Sequence, residues 1–411
     1  MTWKETRLKH LCIDSGQYGL NIAADNYAAT GTRLIRTSDI TADGSLKDAQ
    51  SAVHVDAPIE PRHQLLPGDI LLSRSGTLGR SFLVPSQAQG HTFAGFLIRF
   101  RPKLEVEPRF LYYATQSARF QSTVHAEAVT STIQNFNADR YANIPMSAPA
   151  KEEQRRIADF LDAETARIDQ LLALRERQHQ LVLLHRDARV RAHFQSVDTS
   201  PTRLKFLLAA RPRYGVLVPK FEDNGVKFIR VNDLLDLPGR AEALITISPE
   251  VSAQYPTTVV RTGDVLVSVV GTLGRSAVAP HSVAGSNVNR AIAVLRPQPQ
   301  VDRELLTAWI NTADFQEQAL LATGNDSAQR TLGMEDLANF HLHWPFSESD
   351  QRKLASMVQR STEWSREISE ALKRQSVVLK ERRQALITAA VTGQFDVSTA
   401  SGRNVTEGVS A

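Results

Sequence analysis

Gly76-Thr77-Leu78-Gly79-Arg80-Ser81 recurs letter for letter as Gly271-Thr272-Leu273-Gly274-Arg275-Ser276, 195 residues further along a chain of 411. Other segments recur around it in the same order. Arg7-Leu-Lys-His-Leu11 answers to Arg203-Leu-Lys-Phe-Leu207, Gly68-Asp-Ile-Leu-Leu-Ser73 to Gly263-Asp-Val-Leu-Val-Ser268, and Arg101-Pro102 to Arg296-Pro297. Phe120-Gln121, Ala142-Asn143 and Gln154-Arg155 likewise answer to Phe315-Gln316, Ala338-Asn339 and Gln351-Arg352. A period this long exceeds that of solenoid repeats, so each unit should be a whole domain with its own core.

Within each half two textures alternate. The first is cut into short apolar runs closed by Pro and Gly: Arg33–Arg36, Asp69–Ser73, Ser81–Pro85 and Phe96–Phe100, then Lys227–Arg230, Asp264–Ser268, Ser276–Pro280 and Ala291–Leu295. These have strand length and strand composition. Helical stretches follow, around Arg109 to Gln121 and Glu304 to Leu321. The second texture, Lys151 to about Ala192 and about Glu348 to Thr392, lacks proline and glycine. Ile157, Leu161, Ile168, Leu171 and Val182 fall at heptad spacing in the first stretch, and Leu354, Val358, Ile368, Leu372, Leu379 and Leu386 in the second. Apolar stripes of about 65 Å, at roughly 1.5 Å per residue, cannot stay in water. The order domain, helix, domain, helix then requires the helices to run antiparallel. The expected fold is α+β: two mixed, mostly β domains (1–149 and 196–346) joined and separated by two long coiled-coil helices (150–195 and 347–396) in a pseudo-twofold tandem repeat, with a disordered tail at 397–411.

Composition excludes more than it asserts. With 48 Lys+Arg against 44 Asp+Glu and a pI near 9.2, the chain permits a nucleic-acid partner without demanding one. Cys12 is the lone cysteine, so an internal disulfide and a cysteine-cluster metal site are excluded. No apolar run approaches the roughly 20 residues that cross a bilayer, and a cytoplasmic protein with no membrane partner is expected. The repeated hexapeptide has two residues, not four, between its glycines, and Arg80 stands where a phosphate loop needs lysine; it reads as a turn after a strand. Asp69 and Asp264 open strands without the partners of a nuclease metal site. His341-Leu-His343 reads as a surface pair. No motif for methyl transfer or dinucleotide binding occurs, so no catalytic residue, metal site or bound cofactor is expected.

The closing segment Arg382-Arg-Gln-Ala-Leu-Ile-Thr-Ala-Ala-Val-Thr-Gly-Gln-Phe-Asp396 resembles that of the specificity subunits of type I restriction-modification enzymes. So do Pro67-Gly-Asp-Ile-Leu-Leu-Ser-Arg-Ser-Gly-Thr-Leu-Gly79 and Ile144 to Ile157, and the resemblance runs from about Arg7 to Asp396. It implies a non-catalytic subunit that reads a bipartite target in double-stranded DNA, one half-site per domain, with the helices setting the spacer. It also implies two docked methyltransferase subunits using S-adenosylmethionine, and, where the system restricts, up to two restriction subunits using ATP and Mg. Two segments depart from the family pattern: His185 to His193 at the end of the first helix, and His341-Leu-His-Trp-Pro345.

The repeat sorts the candidate DNA contacts. Residues alike in both halves suit fold or phosphate positioning: Arg36 and Arg230, Thr77 and Thr272, Arg80 and Arg275. Residues that differ in matched loops suit base reading: Arg74 and Ser75 against Val269 and Val270, Ser38 against Asn232, and Gln134-Asn135 against Arg330-Thr331. Arginine suits guanine, and Asn or Gln suits adenine, through paired hydrogen bonds in the major groove. Asn287, Asn289 and Arg290 share that chemistry. Two other readings compete: a non-DNA coiled-coil scaffold with two related binding domains, and a self-contained restriction or methylation enzyme, which the missing motifs disfavour.

Overall fold

The computed structural model describes residues 3–41, 44–47, 52–128, 135–324 and 330–397. It divides into two compact units, Met1–Arg175 with Lys373–Ala411, and Glu176–Leu372.

In the first unit an antiparallel sheet has the strand order Gln17–Tyr18, Leu97–Phe100, Ile70–Ser73, Ser81–Leu83. A second sheet places Thr32–Ile35 between Val53–Val55, antiparallel, and Thr92–Phe93, parallel. Lys4–Arg7 pairs with Pro145–Ala148. The second unit repeats this topology strand for strand: Arg213–Tyr214, Ile292–Leu295, Val265–Ser268, Ser276–Val278; then Ile245–Ile247, Phe221–Ile229, Asn287–Val288; then Ser200–Arg203 with His341–Trp344. On that last strand His341 and His343 are exposed while Leu342 and Trp344 turn inward. Each expected strand is present within a residue or two, except that Phe221–Ile229 starts earlier and carries a bulge at which Phe221 and Val226 both face Ile247. The helical stretch of the first unit is two helices, Pro108–Gln116 and Ala118–Ala128. Ser117 breaks it in extended conformation, its Oγ donating to Ala114 O and accepting from Phe120 N.

The long helices run Lys151–Gln195 and Glu348–Val391. The second ends where Gly393 takes a φ of 75°, a conformation that costs glycine little. Each unit holds the opposite ends of the two helices in one core with its sheets. In the first unit Ile157, Ala158, Leu161 and Ile168 pack with Leu386, Ile387, Ala390 and Val391 and with Phe110, Phe120 and Tyr141. In the second, Val190 packs with Leu354 and Val358 around Leu305, Trp309 and Trp344. Within either unit the pairing is antiparallel, as the chain order requires. In the first unit Trp3 lies against Gly393, so the two ends of the described chain meet there.

The seam of the first helix differs from the expected heptad. Leu171 is 37% exposed and Leu172 packs in its stead; Thr165, not Glu164, is buried. The buried set Ile157, Leu161, Thr165, Ile168 and Leu172 is spaced by four, four, three and four residues, which departs from the alternation of three and four that a heptad seam keeps. The segment that departs from the family pattern has its own partners in the second unit. His193 Nε2 lies 2.9 Å from Ser361 Oγ, and the His185 ring sits 5.4 Å from that of Trp364.

Candidate nucleic-acid interface

The polar residues that repeat prove to be ties of the fold. Asp69, 1% exposed, opens its strand by accepting Leu66 N at 2.8 Å and takes Arg101 Nε and Nη2 at 2.6 and 2.8 Å. Asp264 does the same with Arg261 N, Arg296 Nε and Arg296 Nη2 at 2.8, 2.9 and 2.8 Å. Hydrogen bonds donated to these aspartates hold both arginines above the ordinary guanidinium range, against the opposing effect of burial. Gln154 and Gln351 accept the backbone N–H groups of Glu107 and Asp302. Gln121 and Gln316 donate to the carbonyls of Gly79 and Leu273 in the hexapeptide turns. The turns themselves need glycine: Gly76, Gly79, Gly271 and Gly274 all have φ between 74° and 78°.

Arg36, Ser38 and Arg80 gather around one turn. Arg36 clasps Asp39 through Nε and Nη2, at 3.1 and 2.8 Å, and lies over Tyr27; its Asp39 bond raises its pKa. Ser38 Oγ points to Asp39 Oδ1 at 3.4 Å, and Arg80 Nη1 donates to Ile40 O at 2.9 Å. In the second unit Arg230 and Arg240 share Asp233, and Arg275 Nη1 donates to Asn232 Oδ1 at 3.0 Å. In both halves these arginines bond within the turn that carries them or the turn beside it.

A different group forms where the strand Ile70–Ser73 ends. Ser75 pairs with Asn135 in an isolated bridge, Arg74 Nε donates to Asn135 Oδ1 at 3.1 Å, and Ser73 Oγ lies 3.3 Å from Thr77 Oγ1. The matched place holds Val270 bridged to Thr331, Arg330 O accepting from Gly271 N, and Thr272 O accepting from Ser268 Oγ. Arg330 is half-buried, and Gln134 lies outside the described residues. Arg290 is exposed, and Asn289 Oδ1 caps Ala291 N at 2.9 Å.

Asn287 corrects an expectation. It is fully buried, and its amide is saturated by Thr258 Oγ1, Ser252 Oγ, Tyr255 O and Val288 N. An asparagine so occupied cannot turn to a base without orphaning four partners. Its counterpart Thr92 is also fully buried, bonded to His63 O, so the position belongs to the core in both halves.

Tyr18 and Tyr214 escaped the sequence reading. Tyr18 accepts Ala138 N at 2.9 Å, and Tyr214 donates to Leu332 O at 2.8 Å. The dipeptides Tyr18-Gly19 and Tyr214-Gly215 recur at the common offset and carried the signal. Among the described residues no group of three or more His, Cys, Asp or Glu is placed to hold a metal ion, and no helix is long and apolar enough to cross a membrane.

Residues 2–178 match the model of the type I restriction modification DNA specificity domain. The chain is 23% identical to the type I restriction enzyme EcoBI specificity subunit of Escherichia coli, over 96% of this chain and 86% of that protein. Its fold is shared, with a TM-score of 0.71 at 20% identity over 96% of this chain and 98% of the other, by a chain from work on complex assembly and conformational transition of the type I R-M system. Residues 2–178 thus match the type I restriction modification DNA specificity domain, the second unit repeats the strand order of that domain, and the chain as a whole is similar to a specificity subunit of a type I restriction enzyme.

Proposed function

We propose that domains at 1–149 and 196–346 each read one half of a bipartite DNA sequence, that the paired helices fix the spacing between the halves, and that two methyltransferase subunits dock on the chain. Adenine methylation with S-adenosylmethionine is then the partner's chemistry, and ATP and Mg serve a restriction subunit where one joins. One observation carries this reading: two frames with the same strand order and the same internal ties present unlike side chains at matched loops, Arg74 against Val269, Ser75 against Val270 and Ser38 against Asn232. A scaffold that binds one partner twice has no need of such divergence.

Single-molecule sequencing of modified adenines in cells carrying the chain and its methyltransferase tests the reading. A two-part motif with a fixed gap is expected. Adding four residues after Arg175 and four after Leu372, where each long helix passes from one unit to the other, lengthens each helix by about 6 Å and the gap by about one or two base pairs at roughly 3.4 Å each. An active variant with an unchanged gap would refute the spacing role. Duplex binding that ignores salt would favour the scaffold.

A further inference from the structure

Among the candidates that differ between the two halves, Arg74 has a side chain held by an aromatic face and an amide oxygen and still carries free donors. Its backbone is fixed from two sides: Arg74 N donates to Phe96 O at 2.9 Å and its carbonyl accepts Phe136 N at 2.9 Å. Its guanidinium carbon lies 4.9 Å from the centre of the Tyr18 ring, and Nε is engaged by Asn135. Tyr18 in turn is held through its hydroxyl by Ala138 N. Nη1 and Nη2 have no partner, and no carboxylate pairs with Arg74, among the described residues. Arg36, Arg99, Arg101 and Arg109, by contrast, are each closed onto an acid.

The second unit supplies the control. Val269 occupies the matched position with the same two backbone bonds, to Ala291 O and from Leu332 N, each at 2.8 Å, and Tyr214 stands where Tyr18 does. The frame therefore folds without a cation at this point. A contact to phosphate, common to every sequence, would be useful in both halves; a rigidly presented arginine in one half only has the character of a base contact.

We propose that Tyr18 and Asn135 are positioning residues that aim the Arg74 fork at a guanine in the major groove, so that the first domain demands guanine at one position of its half-site through this arginine. The inference rests on the reading that each domain recognises one half-site. The platform holds the guanidinium plane while Asn135 takes the inner N–H, leaving Nη1 and Nη2 as the parallel pair that matches guanine O6 and N7.

The test uses the chain assembled with its methyltransferase and a duplex library randomised in both half-sites. The wild-type complex should prefer guanine at one position by about tenfold to a hundredfold. Arg74→Ala should abolish that preference, and Arg74→Lys, a point charge rather than a fork, should lose most of it. Tyr18→Leu should weaken it by about twofold to fivefold, and Tyr18→Phe, which keeps the ring, should not. The other half-site should stay unchanged throughout and so report that the subunit folds and assembles. Should Arg74→Ala disturb both half-sites, Arg74→Lys decides. Equal weakening on all sequences with a shallower salt slope would mean a phosphate contact and overturn the proposal, as would a Tyr18→Leu variant with full guanine preference. If the wild-type complex selects no two-part sequence, the underlying reading fails too; if it does and Arg74→Ala leaves the motif intact, this inference alone fails.

Discussion

Arg101→Ala should be among the most damaging single changes on the first sheet. The substitution removes hydrogen bonds of 2.6 and 2.8 Å from a carboxylate that is 1% exposed, leaving Asp69 with Leu66 N as partner. It also strips Gln64 O of its bond from Nη2. Removing one partner of a buried ion pair typically costs about 3–5 kcal/mol. Because the Arg101 side chain is itself 21% exposed, water screens part of the attraction, and a value near the low end, about 3 kcal/mol, is expected. At about 2–4 °C per kcal/mol for a unit of this size, the first unit should melt some 6–12 °C lower. Thermal melts followed by circular dichroism measure this. Arg296→Ala supplies a replicate in the second unit, since its bonds to Asp264 are 2.9 and 2.8 Å, and a similar drop is expected. The decisive variant is the double change Asp69→Leu with Arg101→Met. It removes the stranded charge and leaves Leu66 N–H and Gln64 O, both neutral groups, without these partners, so it should cost less than Arg101→Ala alone. A single change worth under 1 kcal/mol, or a double change worse than the single, would refute the argument.

Two further outcomes follow from the same coordinates. Burial pushes the Tyr113 and Tyr141 hydroxyls above their ordinary range, and the Cys12 thiol up to about 12. The unfolded chain releases these protons first, from roughly pH 8.5 for the thiol and 10 for the phenols, so the folded state loses stability as pH rises through that window. All three groups belong to the first unit, and Ala308 and Leu337 replace the tyrosines in the second, where Tyr214 is the tyrosine that burial raises among the described residues. Melts between pH 8 and 11 should therefore show the first unit falling faster, with Tyr113→Phe narrowing the gap; parallel falls would count against it. In the hexapeptide turn, Gly76→Ala meets open space and should cost only the left-handed backbone penalty, about 1–2 kcal/mol. Gly79→Ala should cost more, because its Cβ would collide with Gln121 Oε1 on a side chain already committed to Gly79 O and Thr115 O. Urea unfolding of both variants tests the order.

The repeat made the architecture legible before any coordinates, because similar residues at a constant offset imply similar surroundings. The residues that recur also share surroundings: Arg36, Arg80, Arg230 and Arg275 are each hydrogen-bonded within a turn of their own unit. Burial was less legible. Asn287 has the chemistry of a base reader, yet its partners Ser252 and Thr258 lie about thirty residues away in sequence, so no local pattern could reveal that its amide is occupied. The phase of the first helix escaped for a related reason. Leu171 and Leu172 are adjacent leucines, and only the facing helix, some two hundred residues distant, decides which of them is inside. Tyr18 was visible as a repeated dipeptide, but its role depends on Arg74, which only one half possesses.

The division of the chain into units bears on how it is made. Glu176–Leu372 is one uninterrupted stretch, whereas the unit containing residue 3 is completed by Leu386, Ile387, Ala390 and Val391. A ribosome adding roughly 5–20 residues per second finishes the second unit while the first still lacks part of its core. The half synthesised first must therefore be the last to close, and until Leu386, Ile387, Ala390 and Val391 have been made it presents Phe110, Ile157 and Leu161 with their covering helix missing. A message truncated before Leu386 would release a chain with one closed unit and one sticky one, a substrate for chaperones or proteases.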